Sequence, residues 1–292
     1  MYQQHPRSPA ESMPTMYDLP SEDPEEPGLP DEFHDFQPKL LRETCKPIAY
    51  PPEEVFIGAD LNLYYDGRHP QWYKRPDWFL VLGVTAGDRV ENLRWSYVVW
   101  QESVNPFVVV ELLSPGTEDE DLGSKVREIG KPPLKWEVYE RILRVPFYVV
   151  FDRYEQQLRI FVLEQARYRS VELDELRYWF EPLELGLGVW AGRYQGIEGQ
   201  WLRWYDRSGN WIPTDAERSE QAEQQVREEA QARQQAERQL QEETQARQQA
   251  ERQAIAEAQA RREAIPRLSA LGLTSAQIAE ALGLTVAEVE AF

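Results

Sequence analysis

The chain has 292 residues, with 51 acidic against 32 basic side chains for a formal net charge of −19, and 41% of its residues are hydrophobic. That length holds one core domain of about 100–200 residues plus extensions. The acidity argues against a protein that coats nucleic acid through bulk charge, since such binding depends on many basic groups neutralising phosphates.

The single cysteine, Cys45, excludes an internal disulfide, and the widely spaced His5, His34 and His69 argue against a zinc cluster. A histidine-based hydrolase is disfavoured for the same reason, because no G-x-S-x-G elbow accompanies those histidines. No run approaches the roughly 20 apolar residues of a membrane helix, and the N-terminus lacks the apolar stretch of a secretory signal. The expectation is a cytoplasmic protein with no membrane contact.

Residues 1–46 carry repeated Pro, Glu and Asp with few aliphatics, as in Ser21-Glu-Asp-Pro-Glu-Glu-Pro27. Such a segment buries too little apolar surface to offset chain entropy, which predicts a mostly disordered leader.

From Glu54 the pattern changes to short apolar and aromatic runs punctuated by Gly, Pro and Asp, the signature of strands. Strands are predicted over 55–65, 78–84, 97–102, 107–113, 147–152 and 158–163. The runs Phe107-Val-Val-Val-Glu-Leu-Leu113 and Phe147-Tyr-Val-Val-Phe151 are nearly unbroken, as in central strands covered on both faces. Between them, Leu134, Val138 and Ile142 recur at helical spacing within 133–144. Strand, helix and strand point to an α/β core, a mixed sheet flanked by helices, over 47–213. Residues 185–213 are rich in Gly and Trp and read as strands and turns that close this domain, with the tryptophans sealing a sheet edge.

Residues 214–265 contain no Gly or Pro after Pro213 and consist of good helix formers. Glu228-Glu-Ala-Gln-Ala-Arg-Gln-Gln-Ala-Glu-Arg-Gln239 returns as Glu242-Glu-Thr-Gln-Ala-Arg-Gln-Gln-Ala-Glu-Arg-Gln253, a period of two heptads. Ala222, Val226, Ala236, Leu240, Ala250 and Ala254 share one seam with Glu229, Arg233, Glu243 and Arg247. The segment is therefore a long helix with a weak coiled-coil seam, either a solvated tether or a dimerising element. The tail, 266–292, holds the capping boxes Thr274…Gln277 and Thr285…Glu288. It resembles a helix-turn-helix, yet no Lys or Arg follows Arg267, while Glu280, Glu288 and Glu290 are acidic. The phosphate contacts of a DNA-reading motif are missing, and docking to a partner fits better.

Two carboxylates stand out inside apolar runs. Asp77 opens Trp78-Phe-Leu-Val-Leu82, and Glu111 interrupts Val108–Leu113. A carboxylate in a buried strand is costly without compensation, and a shared divalent cation would supply it; oxygen ligands suit Mg2+. Lys135, on the following helix, could orient water or offset negative charge in a transition state. Each residue has a plain reading too: Pro-Asp often starts a turn, a strand Glu can face solvent, and a helix Lys is usually solvated. Arg68, Lys74 and Arg75 form the nearest positive cluster and would either meet a DNA backbone or lie in a solvated loop. Asp152 reads as a turn cap, and the sequence does not place Asp60 and Asp66.

Pro76-Asp77, Val109-Val-Glu-Leu-Leu-Ser-Pro-Gly-Thr117, Lys135-x-x-x-Tyr139 and Phe147-Tyr-Val-Val-Phe-Asp152 together resemble the Uma-two restriction endonuclease family, a branch of the PD-(D/E)xK nuclease superfamily. The resemblance spans 48–213. It implies a restriction-endonuclease-like fold and a Mg2+-dependent DNA endonuclease, with Mn2+ able to substitute. It also implies that Asp77 and Glu111 bind the metal while a lysine assists the attacking water. The superfamily's usual lysine position, two after the acid, holds Leu113, so the lysine comes from the next helix. An insertion containing Gly130-Lys-Pro-Pro133 leaves Lys125 as a rival to Lys135, and Lys135 is preferred because Tyr139 and the strand at Phe147 follow it in register. Ser114, Pro115 and Thr117 would form the turn leaving the Glu111 strand. Two other classes remain open: a catalytically silent scaffold acting through its C-terminal helices, and a carbohydrate-active enzyme with paired carboxylates beside tryptophans.

Overall fold

The structure is a computed structural model that describes residues 31–292 apart from 86, 88, 115–117, 128 and 129. The predicted leader therefore lies outside the described residues up to 30, and so do Pro115 and Thr117 of the predicted turn. The chain divides into two units, ending and beginning at Glu217 and Arg218.

The first unit is built on a six-stranded mixed sheet. In chain order its strands are β1 (Val55–Gly58), β4 (Trp78–Leu82), β6 (Val108–Leu112), β7 (Phe147–Asp152), β8 (Gln157–Glu164) and β9 (Arg167–Ser170). They lie side by side in that same order. Only β6 and β7 are parallel, and the chain between them carries the predicted helix, as a parallel crossover requires. That helix begins at Lys135–Glu137 and continues over Val138–Ile142 as a wider, π-type turn. Strands β4, β6 and β7 are buried at every position, which explains their unbroken apolar runs.

Side chains alternate across these strands, so odd and even positions build two separate cores. Trp78, Leu80, Val108, Val110, Val149 and Phe151 face a second sheet of β10 (Arg177–Phe180), β11 (Leu185–Tyr194) and β12 (Ile197–Tyr205). Phe79, Val81, Val109, Tyr148 and Val150 face the crossover helix and a small sheet of β2 (Leu63–Tyr64), β3 (Tyr73–Lys74) and β5 (Tyr97–Val98). Trp201 and Trp204 are buried in the closing sheet, and Trp204 packs against Trp78 of β4.

Three elements differ from the sequence reading. The predicted strand over 55–65 breaks into β1 and β2 around Asp60, whose φ is 51°. Over 97–102 only Tyr97–Val98 pairs, and Val99–Glu102 coils into one helical turn because Val98 has no further strand partner.

The third difference is larger: Glu32–Thr44, assigned to the disordered leader, is helix α1. Asp31 caps it by accepting from the Phe33 and His34 N–H groups. Phe33, Phe36 and Leu40 reach a cluster with Trp190, Tyr194 and Trp201. Gln37 seals the join, donating to the Leu202 carbonyl at 2.8 Å and accepting from the Leu202 N–H at 2.8 Å. It satisfies both backbone polar groups of Leu202 in β12, a service that local Pro and acid content conceals.

The second unit holds most of the helix Asp215–Ala270 and two short helices, Ser275–Leu282 and Val286–Glu290. The long helix runs five residues past the predicted end and passes through Pro266, since Ile265 and Leu268 are drawn into a cluster with Ile278, Ala279 and Val289. Both predicted capping boxes are present. No helix among the described residues is long and apolar enough to cross a membrane.

Candidate active site

Register brings the two predicted carboxylates together. β4 and β6 are antiparallel with Trp78 opposite Val110, and continuing that register by one residue sets Asp77 across from Glu111. Directly opposed residues project from the same face about 4.5–5.5 Å apart at Cβ, here the face shared by Phe79 and Val109. The Leu112 N–H donates to Asp77 Oδ2 at 2.6 Å, which ties the acid preceding one strand to the backbone of the next.

Glu111 is fully buried. A carboxylate there needs a partner for each oxygen. Tyr139 donates to Oε1 at 2.8 Å, and the Lys135 ammonium lies 3.0 Å from Oε2. Lys135 and Tyr139 stand one helical turn apart, so the K-x-x-x-Y spacing delivers both groups to one carboxylate. Burial drives the Glu111 carboxyl well above its ordinary pKa; Lys135 opposes that shift, and Asp121 and Asp77 reinforce it.

Asp121 is the acid that sequence reasoning missed. It is 1% exposed, and its Oδ1 lies 2.9 Å from Lys135 Nζ. Burial disfavours the Lys135 ammonium, but the charges of Glu111, Asp121 and Asp77 outweigh it and hold the pKa well above the usual lysine value. The shift favours the charged, donating form of Lys135. Tyr148 donates to the Asp121 carbonyl at 2.9 Å, and Trp136 meets Tyr148, Phe161 and Tyr168 edge-on. An aromatic wall thus closes this side of the site.

The other candidates lie elsewhere. Lys125 is half exposed and 4.0 Å from Glu120, so of the two rivals only Lys135 meets Glu111. Lys74 pairs with Glu120 at 3.0 Å and Arg75 with Asp60 at 2.6 Å, so two members of the expected positive cluster are engaged by acids. Arg68 lies in an exposed turn where its N–H bonds Asp66, and Asp66 also holds His69 at 2.7 Å. Asp152 caps a turn through the Tyr154 and Glu155 N–H groups, as its position at a strand end implies.

His34, assigned to the leader, instead packs against the end of β6. Its Nδ1 lies 2.9 Å from Asp31, and its Nε2 is 3.2 Å from the Leu112 carbonyl and 3.2 Å from Ser114 Oγ. Arg153 pairs with the same Asp31 carboxylate. The Leu112 peptide is thereby held from both sides, by Asp77 at its N–H and His34 at its carbonyl. The periodicity of Phe33, Phe36 and Leu40 behind Asp31 was the one sequence signal for it.

Among the described residues no three His, Cys, Asp or Glu side chains are already gathered as a metal-ligand set. The donor chemistry nonetheless fits a hard divalent cation: the acids are all oxygen donors, and Asp77, Glu111 and Asp121 outnumber the one ammonium among them. Asp77 and Glu111 are the residues that would hold it.

A family model, Uma2, described as "Putative restriction endonuclease", matches residues 2–192. No curated protein matches the chain.

Proposed function

Because the chain belongs to the Uma2 family, we propose that it is a Mg2+-dependent endonuclease that hydrolyses phosphodiester bonds of DNA in the cytoplasm, working as a dimer through its C-terminal helix. The observation that carries this reading is the meeting of Glu111, Lys135 and Tyr139, with Asp77 opposite in register. Mg2+, or Mn2+ in its place, supplies Lewis acidity toward water and a phosphoryl oxygen when bound.

The chain's own residues do the rest. The Leu112 N–H orients Asp77, and the Tyr139 hydroxyl fixes one oxygen of Glu111, so the two metal-holding acids are set before substrate arrives. Lys135 Nζ, held between Glu111 and Asp121, presents a positive charge where the phosphate gains negative charge in the transition state. Asp121 acts through Lys135 and is a positioning residue.

The test is cleavage of supercoiled plasmid and single-stranded DNA with Mg2+ or Mn2+. Cutting that stops on chelation and is lost in Asp77→Asn, Glu111→Gln and Lys135→Ala, but kept in Lys125→Ala, is expected. One observation favours a second reading: Lys135 already neutralises part of the buried acid cluster without any other cation, as a silent scaffold would require. Wild-type protein that never cuts, or cutting that survives those substitutions, puts the scaffold first.

A further inference from the structure

The helix Asp215–Ala270 is one unbroken rod of 56 residues, about 84 Å at 1.5 Å per residue. Before Ile265 its large apolar side chains are uncovered, with Val226 66% and Leu240 65% exposed. In heptad terms Val226, Arg233, Leu240, Arg247, Ala254 and Arg261 take one seam position, a. Glu229, Ala236, Glu243, Ala250, Glu257 and Ala264 take the other, d. Apolar and charged layers thus alternate. Each heptad carries one seam charge, and the cations (Arg233, Arg247, Arg261) are all at a while the anions (Glu229, Glu243, Glu257) are all at d.

That placement selects an orientation. In a parallel pair a faces a and d faces d, so Arg would face Arg and Glu would face Glu. Sliding one helix by a heptad sets Arg against Val, Leu or Ala. In an antiparallel pair a faces d, and every seam Arg can meet a Glu. One alignment closes all layers from 226 to 264: Val226 meets Ala264, Arg233 meets Glu257, Leu240 meets Ala250, and Arg247 meets Glu243, with the converse contacts supplied by symmetry. Ala254 meets Ala236, and Arg261 meets Glu229. The flanks oppose this pairing once, where Glu237 comes beside Glu251 of the second copy, and Ile255 lies one position off the seam.

We propose that this seam binds a second copy of the same chain, antiparallel and centred at residue 245. The charge pattern names the occupant, because the helix is its own complement when reversed. The seam's Ala layers allow close approach while its Arg–Glu layers fix orientation and register, the role polar seam residues serve in coiled coils. The two copies of Asp215 then stand roughly 90 Å apart. This deepens the dimer named above and rests on it, while standing independently of the nuclease reading, so it is tested without DNA.

The full chain is oxidised as three variants, Leu240→Cys, Ala250→Cys and the double variant; the native Cys45 is buried. In the antiparallel register, residues 240 and 250 share a layer, whereas identical positions stand about 15 Å apart. A covalent dimer is expected from the double variant alone. Light scattering gives the second readout. Arg247→Glu should weaken the dimer about tenfold or more by setting Glu against Glu, and Glu243→Arg added to it should restore the wild-type mass. A wild-type chain that stays monomeric overturns both the dimer and its orientation. A dimer in which single cysteines cross-link, or in which the charge swap fails to restore association, keeps the dimer and overturns the antiparallel seam.

Discussion

Glu111–Lys135 and Glu257–Arg261 are both pairs of a glutamate with a basic side chain, and their surroundings make them different objects. The first lies at 3.0 Å with its carboxylate fully buried, whereas the second spans 3.7 Å with its partners 69% and 50% exposed. In water the attraction is screened and holding two long side chains costs entropy, so exposed pairs contribute about 0–1 kcal/mol. Inside the protein the desolvation penalty is several kcal/mol per ion, and the pair persists because each charge is the other's compensation. The buried pair therefore tells of a site, and the exposed one tells only of a helix surface that can be read in register.

The largest way to break this contrast is to remove one buried partner. Lys135→Met leaves Glu111 and Asp121 facing each other without the ammonium and should cost about 3–5 kcal/mol of stability by urea denaturation. Glu111→Gln added to Lys135→Met removes much of the stranded charge and should recover part of that loss. Equal stability of wild type and Lys135→Met would mean that water reaches the cluster and that the burial argument fails.

A second test changes the hydrogen bonds that seat α1. Gln37→Ala strands the N–H and C=O of Leu202, at about 1–3 kcal/mol per buried group. The loss should appear in thermal melts of the whole chain, since Gln37 is fully buried in the first unit. An unchanged melting temperature would return α1 to the status of a loosely held leader.

These two sites also mark what the sequence made legible. Asp77 and Glu111 announced themselves because each was a charge inside a strand-like apolar run, and Lys135 and Tyr139 because a helical turn separates them. The sheet was readable for the same reason: β4, β6 and β7 are buried at every position and apolar at all but Glu111 and Asp152, and the period of two dictates which face each side chain takes. Asp121 left no such signal, since Glu118-Asp119-Glu120-Asp121 has the composition of a solvated run. Only the fold, through Lys135 and the Tyr148 hydroxyl, shows that its last member is buried. Helix α1 was hidden by proline and acid neighbours, and its partners, Leu202 and Trp201, lie more than 150 residues away.

The alkaline limb of stability sharpens the contrast further. Burial drives the Tyr148 hydroxyl well above the usual tyrosine pKa, and the Asp121 and Glu111 charges push the same way. The folded state then keeps a proton that the unfolded chain releases, so stability is intact below about pH 10 and falls as pH rises beyond it. Each such group contributes a slope of about 1.4 kcal/mol per pH unit. Lys135 and Tyr139 carry shifts of the same sign. Tyr148→Phe should cost about 1 kcal/mol at pH 7 for the lost bond to Asp121 and should show a shallower decline between pH 10 and 11. A parallel decline in both proteins would assign the alkaline limb to other residues.

The smallest effect is expected on the long helix, away from its seam. Arg227 and Glu223 form an i, i+4 pair at 2.9 Å, with side chains 71% and 70% exposed. Arg227→Gln keeps a good helix former and removes only a screened attraction, worth about 0.3–0.5 kcal/mol. Helical circular dichroism and the melting temperature should stay within experimental error, and the salt dependence of both should be almost flat. A loss comparable to that of Lys135→Met would show that this face is covered by something that desolvates it, and an exposed charge pair would then have become a buried one.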